Sequence, residues 1–197
     1  MVKLTYLQSP TNLFITLSCF ISVITWFGDI DATLRWLVYD QQRILSGQIW
    51  RLLTPIFLHF DFMGIIFAHL VFNMLWLYQF GHAIEKYDSK ALLTTLVLTS
   101  GVLSNIIQSF FYQGIFGGMS GVVYALLGYL FIRGKLDLSY RGRIADNIAY
   151  FLIAFMLIAA LGILGSIANA AHFTGFFTGI VFAIIIDQKQ KHRKQTF

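Results

Sequence analysis

Ser120 lies in the run GGMSG, residues 117–121, directly ahead of an apolar stretch and with no ionisable side chain beside it. A serine becomes a nucleophile when a base within hydrogen-bond reach takes its proton, and neutral histidine is the usual base. His172 in AHFTGFFTG and His69 in AHLVFN both stand in apolar surroundings. Asn73 follows His69 by four residues, which puts the two on one face of a helix. Together these residues have the parts of an acyl-transfer site. Ser120 is the candidate nucleophile and His172 the candidate base; His69, Asn73 and the Ser120 backbone N–H are candidate donors to a developing oxyanion. Each also has a plain structural reading: a serine N-cap, or a histidine or asparagine bonding between helices.

The elements that must position them read as membrane helices. Of 197 residues, 57% are hydrophobic and 12% charged, and the mean hydropathy is +0.71. A soluble chain of this size does not hide that much apolar surface. The apolar runs predict an all-α membrane protein, a single domain over residues 1–197 with six transmembrane helices in one bundle. The spans fall at 13–27, 63–80, 91–111, 120–132, 148–164 and 169–186, followed by a basic tail over 187–197. The first is read as a retained helix, since only Lys3 precedes it and no small-x-small cleavage site follows. The single cysteine, Cys19, sits in an apolar run, so neither an internal disulfide nor a metal cluster is expected. No internal repeat supports an inverted-repeat transporter.

Basic residues orient the bundle. Eleven of the fourteen Lys and Arg lie at the N-terminus, in the 2–3 and 4–5 loops and in the tail; the other three, Arg35, Arg43 and Arg51, share the 1–2 loop. The positive-inside rule then puts both termini in the cytoplasm and makes the bilayer, with its anionic headgroups, the partner of the +5 net charge. Nucleic-acid binding needs basic side chains interleaved with aromatics on a soluble surface, and that pattern is missing. The 1–2 loop, residues 28–62, is far longer than an ordinary connection and carries Trp36, Tyr39, Ile49, Trp50, Leu52 and Leu53. It is expected to lie in the membrane interface.

Depth brings the candidates together. Ser120 is thirteen residues before Arg133, His172 fifteen before Asp187, and His69 and Asn73 sixteen and twelve before Glu85. At the helical rise these separations correspond to about 20, 22, 24 and 18 Å above the cytoplasmic boundary of a layer about 30 Å thick. Polar groups so deep face a protein interior or a wet cavity. No carboxylate shares that depth, so the site is expected to be a Ser–His dyad with its imidazole held by packing. Tyr124, one turn after Ser120, is placed to stack on His172. Gly175 and Gly179, spaced GxxxG after His172, allow the Ser120 helix to approach closely. Gly117 and Gly118 allow a sharp turn at the reacting centre.

GGMSG, HLVFN and AHFTGFFTG, with Trp50–Arg51 in the first loop and GHAIE ending at Glu85, resemble rhomboid intramembrane serine proteases of the compact bacterial type. The resemblance implies Ser120 as nucleophile, His172 as base, and His69, Asn73 and the Ser120 backbone as oxyanion stabilisers. It implies Gly118 in the active-site turn and Tyr124 packed on His172. It also implies cleavage of membrane-anchored proteins near the outer boundary of a bacterial inner membrane, without cofactor or metal. One feature departs from the family pattern. A histidine there precedes the oxyanion histidine by five residues, whereas His59 precedes His69 by ten. An extended helix top and a rearranged loop are both compatible with that spacing. Two other functions compete: a catalytically inactive rhomboid-like protein that binds membrane clients, and a transporter using His69 and His172 as a proton relay. The second more often carries an intramembrane carboxylate. The orientation is testable with a phosphatase active only outside the cytoplasm. Inserted beside Arg43 it is expected to be active, and fused after Lys191 inactive; the opposite pattern overturns the topology.

Overall fold

The computed structural model describes residues 8–29, 31–62, 64–162 and 167–195. Lys3, the expected start of the second span at Met63, the end of the fifth at Leu164 and the side chains past His192 lie outside them. The described residues are helical and contain no strand, only an isolated bridge between Phe62 and Ile65. In chain order the α-helices are α1 Pro10–Ile24, α2 Asp31–Leu37, α3 Gln41–Leu45, α4 Ala68–Tyr87, α5 Lys90–Phe111, α6 Ser120–Leu136, α7 Asp146–Ala160 and α8 Asn169–Gln195. By length and composition, α5 and residues Asn169–His192 of α8 are able to cross a membrane; α1 and α7 are apolar but shorter.

The helix α6 is the centre of the bundle. Every residue from Gly121 to Leu130 is buried, as a helix apolar on all sides requires. Its most extensive neighbour is α8, and α5 and α4 cover its other sides. The α6–α8 contact is backbone against backbone. A Cβ on Gly175 would lie 1.8 Å from the Gly121 carbonyl oxygen, and one on Gly179 1.9 Å from that of Ala125. On the facing helix, a Cβ on Gly128 would lie 2.4 Å from the Phe176 carbonyl oxygen. Small residues at these positions are what let two helices meet at this separation.

Three helices run further than their apolar runs, and α8 continues through most of the expected basic tail to Gln195. The helix α4 begins at Ala68 and continues to Tyr87, because Glu85 has a structural task. Its Oε1 accepts from Thr11 N–H and Thr11 Oγ1, each at 2.7 Å, and from Ser9 Oγ at 2.9 Å. It thereby serves the N-terminus of α1, where donors have no intrahelical partner. The helix α6 continues past Ile132 because the charge that ends the apolar run is paired. Arg133, fully buried, donates to Asp187 at 3.2 Å, Asp137 at 3.2 Å and Gln190 at 2.7 Å. Its guanidinium also lies over the Tyr140 ring, 4.4 Å from the centroid. Tyr129 donates to Asp88 at 2.8 Å, tying α6 to the end of α4.

Residues 25–67 connect α1 to α4 as a packed segment. It opens on a 3₁₀ turn at Trp26–Gly28, and after α2 and α3 it makes two more, Ile49–Leu52 and Thr54–Phe57. Arg51 is buried there and donates to Gln48 Oε1 at 2.7 Å and the Val38 carbonyl at 2.9 Å. Trp50 donates to the Trp36 carbonyl at 3.1 Å and stacks on its ring, and both indoles stay exposed. The extra residues ahead of His69 form a turn. Phe62 and Ile65 exchange backbone bonds, and the Asp61 carboxylate accepts from Gly64 N–H at 3.1 Å. Of the two arrangements compatible with the His59–His69 spacing, the described residues show a looped-out turn.

The helix contact yields a stability prediction. Gly179→Val is expected to destabilise the protein by about 3 kcal/mol, since no side-chain movement clears a backbone carbonyl. Val181→Ala, on an exposed face of the same helix, is expected to change stability little. Unfolding in mixed micelles compares them, and equal stabilities would show that the contact is looser than described.

Candidate active site

The turn that carries Ser120 is held from behind. Gly118 has φ of +118°, the left-handed region in which glycine is unstrained. Its N–H donates to the Pro55 carbonyl at 3.0 Å, anchoring the turn to the 3₁₀ segment Thr54–Phe57. A Cβ on Gly118 would lie 2.5 Å from His69 Nε2, so the imidazole rests directly on this glycine. The next N–H, that of Met119, donates to His59 Nε2 at 3.4 Å. That nitrogen must then be unprotonated, which puts the His59 proton on Nδ1, 3.1 Å from the Phe57 carbonyl and 3.3 Å from Ser22 Oγ. The His59 and His69 rings meet edge to face at 5.1 Å.

Ser120 is the first residue of α6, and no side chain caps that helix. Its first N–H groups, with the positive end of the helix dipole, are free to meet an anion at Ser120. His172 is in the first turn of α8. Its Nε2 lies 2.8 Å from Ser120 Oγ. Ser120 is half-buried while His172 is buried, so the hydroxyl is the accessible member of the pair. His172 Nδ1 has no hydrogen-bond partner among the described residues. Aromatic packing holds the ring: Tyr124 lies 4.8 Å away with its plane tilted by 43°, not stacked flat. The tilt follows from the Tyr124 hydroxyl, which donates to the Leu152 carbonyl of α7 at 3.2 Å.

Asn73 is fully buried on α4, and its Nδ2 donates to the His69 carbonyl one turn back at 2.9 Å. One of its two amide hydrogens is therefore spent within the helix, and Oδ1 has no partner. His69 is in contact with the glycine turn, and Asn73 lies one helical turn further along α4. Trp50, Arg51 and Glu85 stand apart from the Ser120–His172 pair and belong to the structural contacts described above.

Three residues not singled out as site residues by sequence reading hold this arrangement in place. Ala171, beside His172, has both backbone groups bonded by α5: Gln108 Oε1 accepts from its N–H at 3.1 Å, and Ser104 Oγ donates to its carbonyl at 3.0 Å. The side chain of Gln108 thus does for α8 what a local cap does for most helices. Asn105 donates to the Leu52 carbonyl at 2.9 Å. With Ser100 these residues form a buried polar stripe at i, i+4, i+5 and i+8 along α5, a signal present in the sequence. Ser104, Asn105, Gly117, Gly118 and Ser120 also line a small cavity of about 10 Å³, the size of one water molecule.

A family model of the rhomboid domain matches residues 46–189. The chain is 32% identical over 179 residues to the rhomboid protease GlpG of Salmonella paratyphi A, and equally to those of Salmonella typhi and Salmonella newport. The matches cover 89% of this chain and 63% of each relative, so the chain spans less than two thirds of their length.

The site predicts a narrow tolerance at position 118. Gly118→Ala is expected to abolish covalent labelling of Ser120 by a fluorophosphonate while the protein still folds, because the methyl displaces His69 and strains the turn. Labelling at the wild-type rate would show that the turn and His69 are not coupled.

Proposed function

Because the chain belongs to the rhomboid family, we propose that it is an intramembrane serine endopeptidase that hydrolyses peptide bonds of membrane-anchored proteins with a Ser120–His172 dyad. The observation that carries this reading is the 2.8 Å approach of His172 Nε2 to Ser120 Oγ, with Ser120 half-buried and His172 buried.

In this reading His172 is neutral and carries its proton on Nδ1. Nε2 accepts the Ser120 proton as Oγ attacks the scissile carbonyl, then returns it to the leaving amine. Water hydrolyses the resulting acyl-enzyme by the same proton route. The oxyanion lies at the uncapped N-terminus of α6, where the Ser120 N–H and the His69 imidazole over Gly118 stabilise it. Asn73 contributes through its remaining amide hydrogen. No carboxylate orients His172; Tyr124 and the bonds of Ser104 and Gln108 to Ala171 do so instead.

The bundle sits in a bacterial inner membrane with six spans, α1 and α4 to α8, and both termini in the cytoplasm. Substrates are transmembrane proteins cut near the outer boundary. Their helices unwind locally there, since an intact helix shields its backbone from attack. No cofactor takes part.

The test is cleavage of a single-span model protein in vesicles. Ser120→Ala and His172→Ala are each expected to abolish it, since nucleophile and base act as a unit. Asn73→Ala is expected to slow it by about 10²-fold, the lower end for one oxyanion donor. Wild-type rates in either dyad variant would overturn the assignment. A folded wild-type protein that neither cleaves nor labels would favour the inactive, client-binding reading.

A further inference from the structure

A second cavity, larger than the one beside Ser120, lies at the opposite end of α6. It measures about 420 Å³ and opens between the end of α6, residues 138–145 and the first turns of α7. One wall is apolar: Phe131, Leu138, Ile144 and Ala149. The rest carries Lys135, Arg141 and Asp146.

These charges are uncommitted, unlike their neighbours. Arg133 is held by Asp187, Asp137 and Gln190, and Arg143 donates to Tyr87 Oη at 2.7 Å and lies over its ring. Lys135, Arg141 and Asp146 have no ion pair among the described residues. The Lys135 ammonium lies 5.3 Å above the Phe131 ring, which holds it at the cavity wall. No side chain caps α7, so the N–H groups of Asp146 and Asn147 are further donors, while that of Ile148 is bonded to the Ala145 carbonyl at 3.0 Å. Two free cations and a helix N-terminus suit a phosphate. A free carboxylate in the same cavity suits a hydrogen-bond donor attached to that phosphate. The apolar wall suits hydrocarbon, and the volume is in the range of small-molecule sites.

We infer that this cavity binds one phospholipid of the cytoplasmic leaflet. Its phosphate lies between Lys135 and Arg141, and a donor-bearing headgroup, ethanolamine or glycerol, faces Asp146. The inference rests on the membrane orientation proposed above but not on the protease reading. Basic pockets between helices on the cytoplasmic side are suited to lipid headgroups. Choline carries the same phosphate without a donor, so Asp146 discriminates against it.

The experiment is native mass spectrometry of the full chain released from micelles, with phosphatidylethanolamine, phosphatidylglycerol or phosphatidylcholine added. The wild type is expected to retain one ethanolamine or glycerol lipid. The Lys135→Ala/Arg141→Ala double variant is expected to retain it at least tenfold less, at about one order of magnitude for two juxtamembrane cations. Asp146→Asn is expected to lose the preference over choline lipid. All three side chains are exposed and unpaired, so the variants are expected to fold and to label at Ser120 as the wild type does. Equal retention by wild type and double variant overturns the site. So does displacement of the lipid by inorganic phosphate at equal concentration, which would mark a soluble-anion site. Lipid loss with Ser120 labelling intact supports the inference whatever the chain cleaves, whereas failure of labelling in every variant bears on the protease reading alone.

Discussion

The direct contact between the backbones of α6 and α8 is the constraint on which the rest of the structure depends. Ser120 opens one helix and His172 lies in the first turn of the other, so their side chains meet only if the two axes are close. Gly128, Gly175 and Gly179 leave nothing between the main chains. Because protein interiors are close-packed, a methyl group inserted here moves a helix and not merely a side chain. The contact therefore sets the distance between hydroxyl and imidazole, as well as the shape of the core. At the far end Arg133, buried against Asp187 and Gln190, closes the same pair of helices with charge instead of glycine. Breaking a buried pair of this kind leaves an uncompensated charge, so both ends of the seam resist separation.

A site without an orienting carboxylate puts a heavier demand on packing. His172 Nδ1 is unpartnered among the described residues, and its ring is held by Tyr124 and by the bonds that fix Ala171. Those bonds come from α5, a third helix, and the tyrosine is itself tethered to α7. The geometry of two side chains is in this way shared among four helices. Buried polar atoms are expensive unless paired, so the stripe on α5 stabilises the fold and positions the site through the same bonds.

The turn before Ser120 shows the same economy. His59 and His69 meet edge to face behind it, one accepting from the Met119 N–H and the other filling the space over Gly118. The additional residues between them leave this arrangement intact because they turn outward. The Phe62–Ile65 bridge and the Asp61 carboxylate close the turn locally, and α4 starts only at Ala68. An insertion at an exposed loop tip costs little, whereas the same residues added within α4 would have rotated His69 and Asn73 off their face.

The sequence by itself determined the helical class, the approximate elements and the four candidate residues. Apolar length, positive charge at one end and helical rise are local quantities, and the expectation that Ser120, His172, His69 and Asn73 share one depth rests on them alone, before any contact is known. It also carried the polar stripe of α5, whose meaning depends on which helix it faces. Only the tertiary structure decided the rest. That Glu85 caps α1, that Gln108 serves the backbone of Ala171, and that Asn73 spends an amide hydrogen on its own helix are pairings between groups distant in the chain or alternative in geometry. The helix ends moved for the same reason. Hydropathy stops α6 at Ile132 and α4 at Phe80, but a charged residue with a partner continues a helix as well as an apolar one does. A partner is a property of the fold, because hydrogen bonds and ion pairs reach only about 3 Å and the sequence does not record which groups come that close.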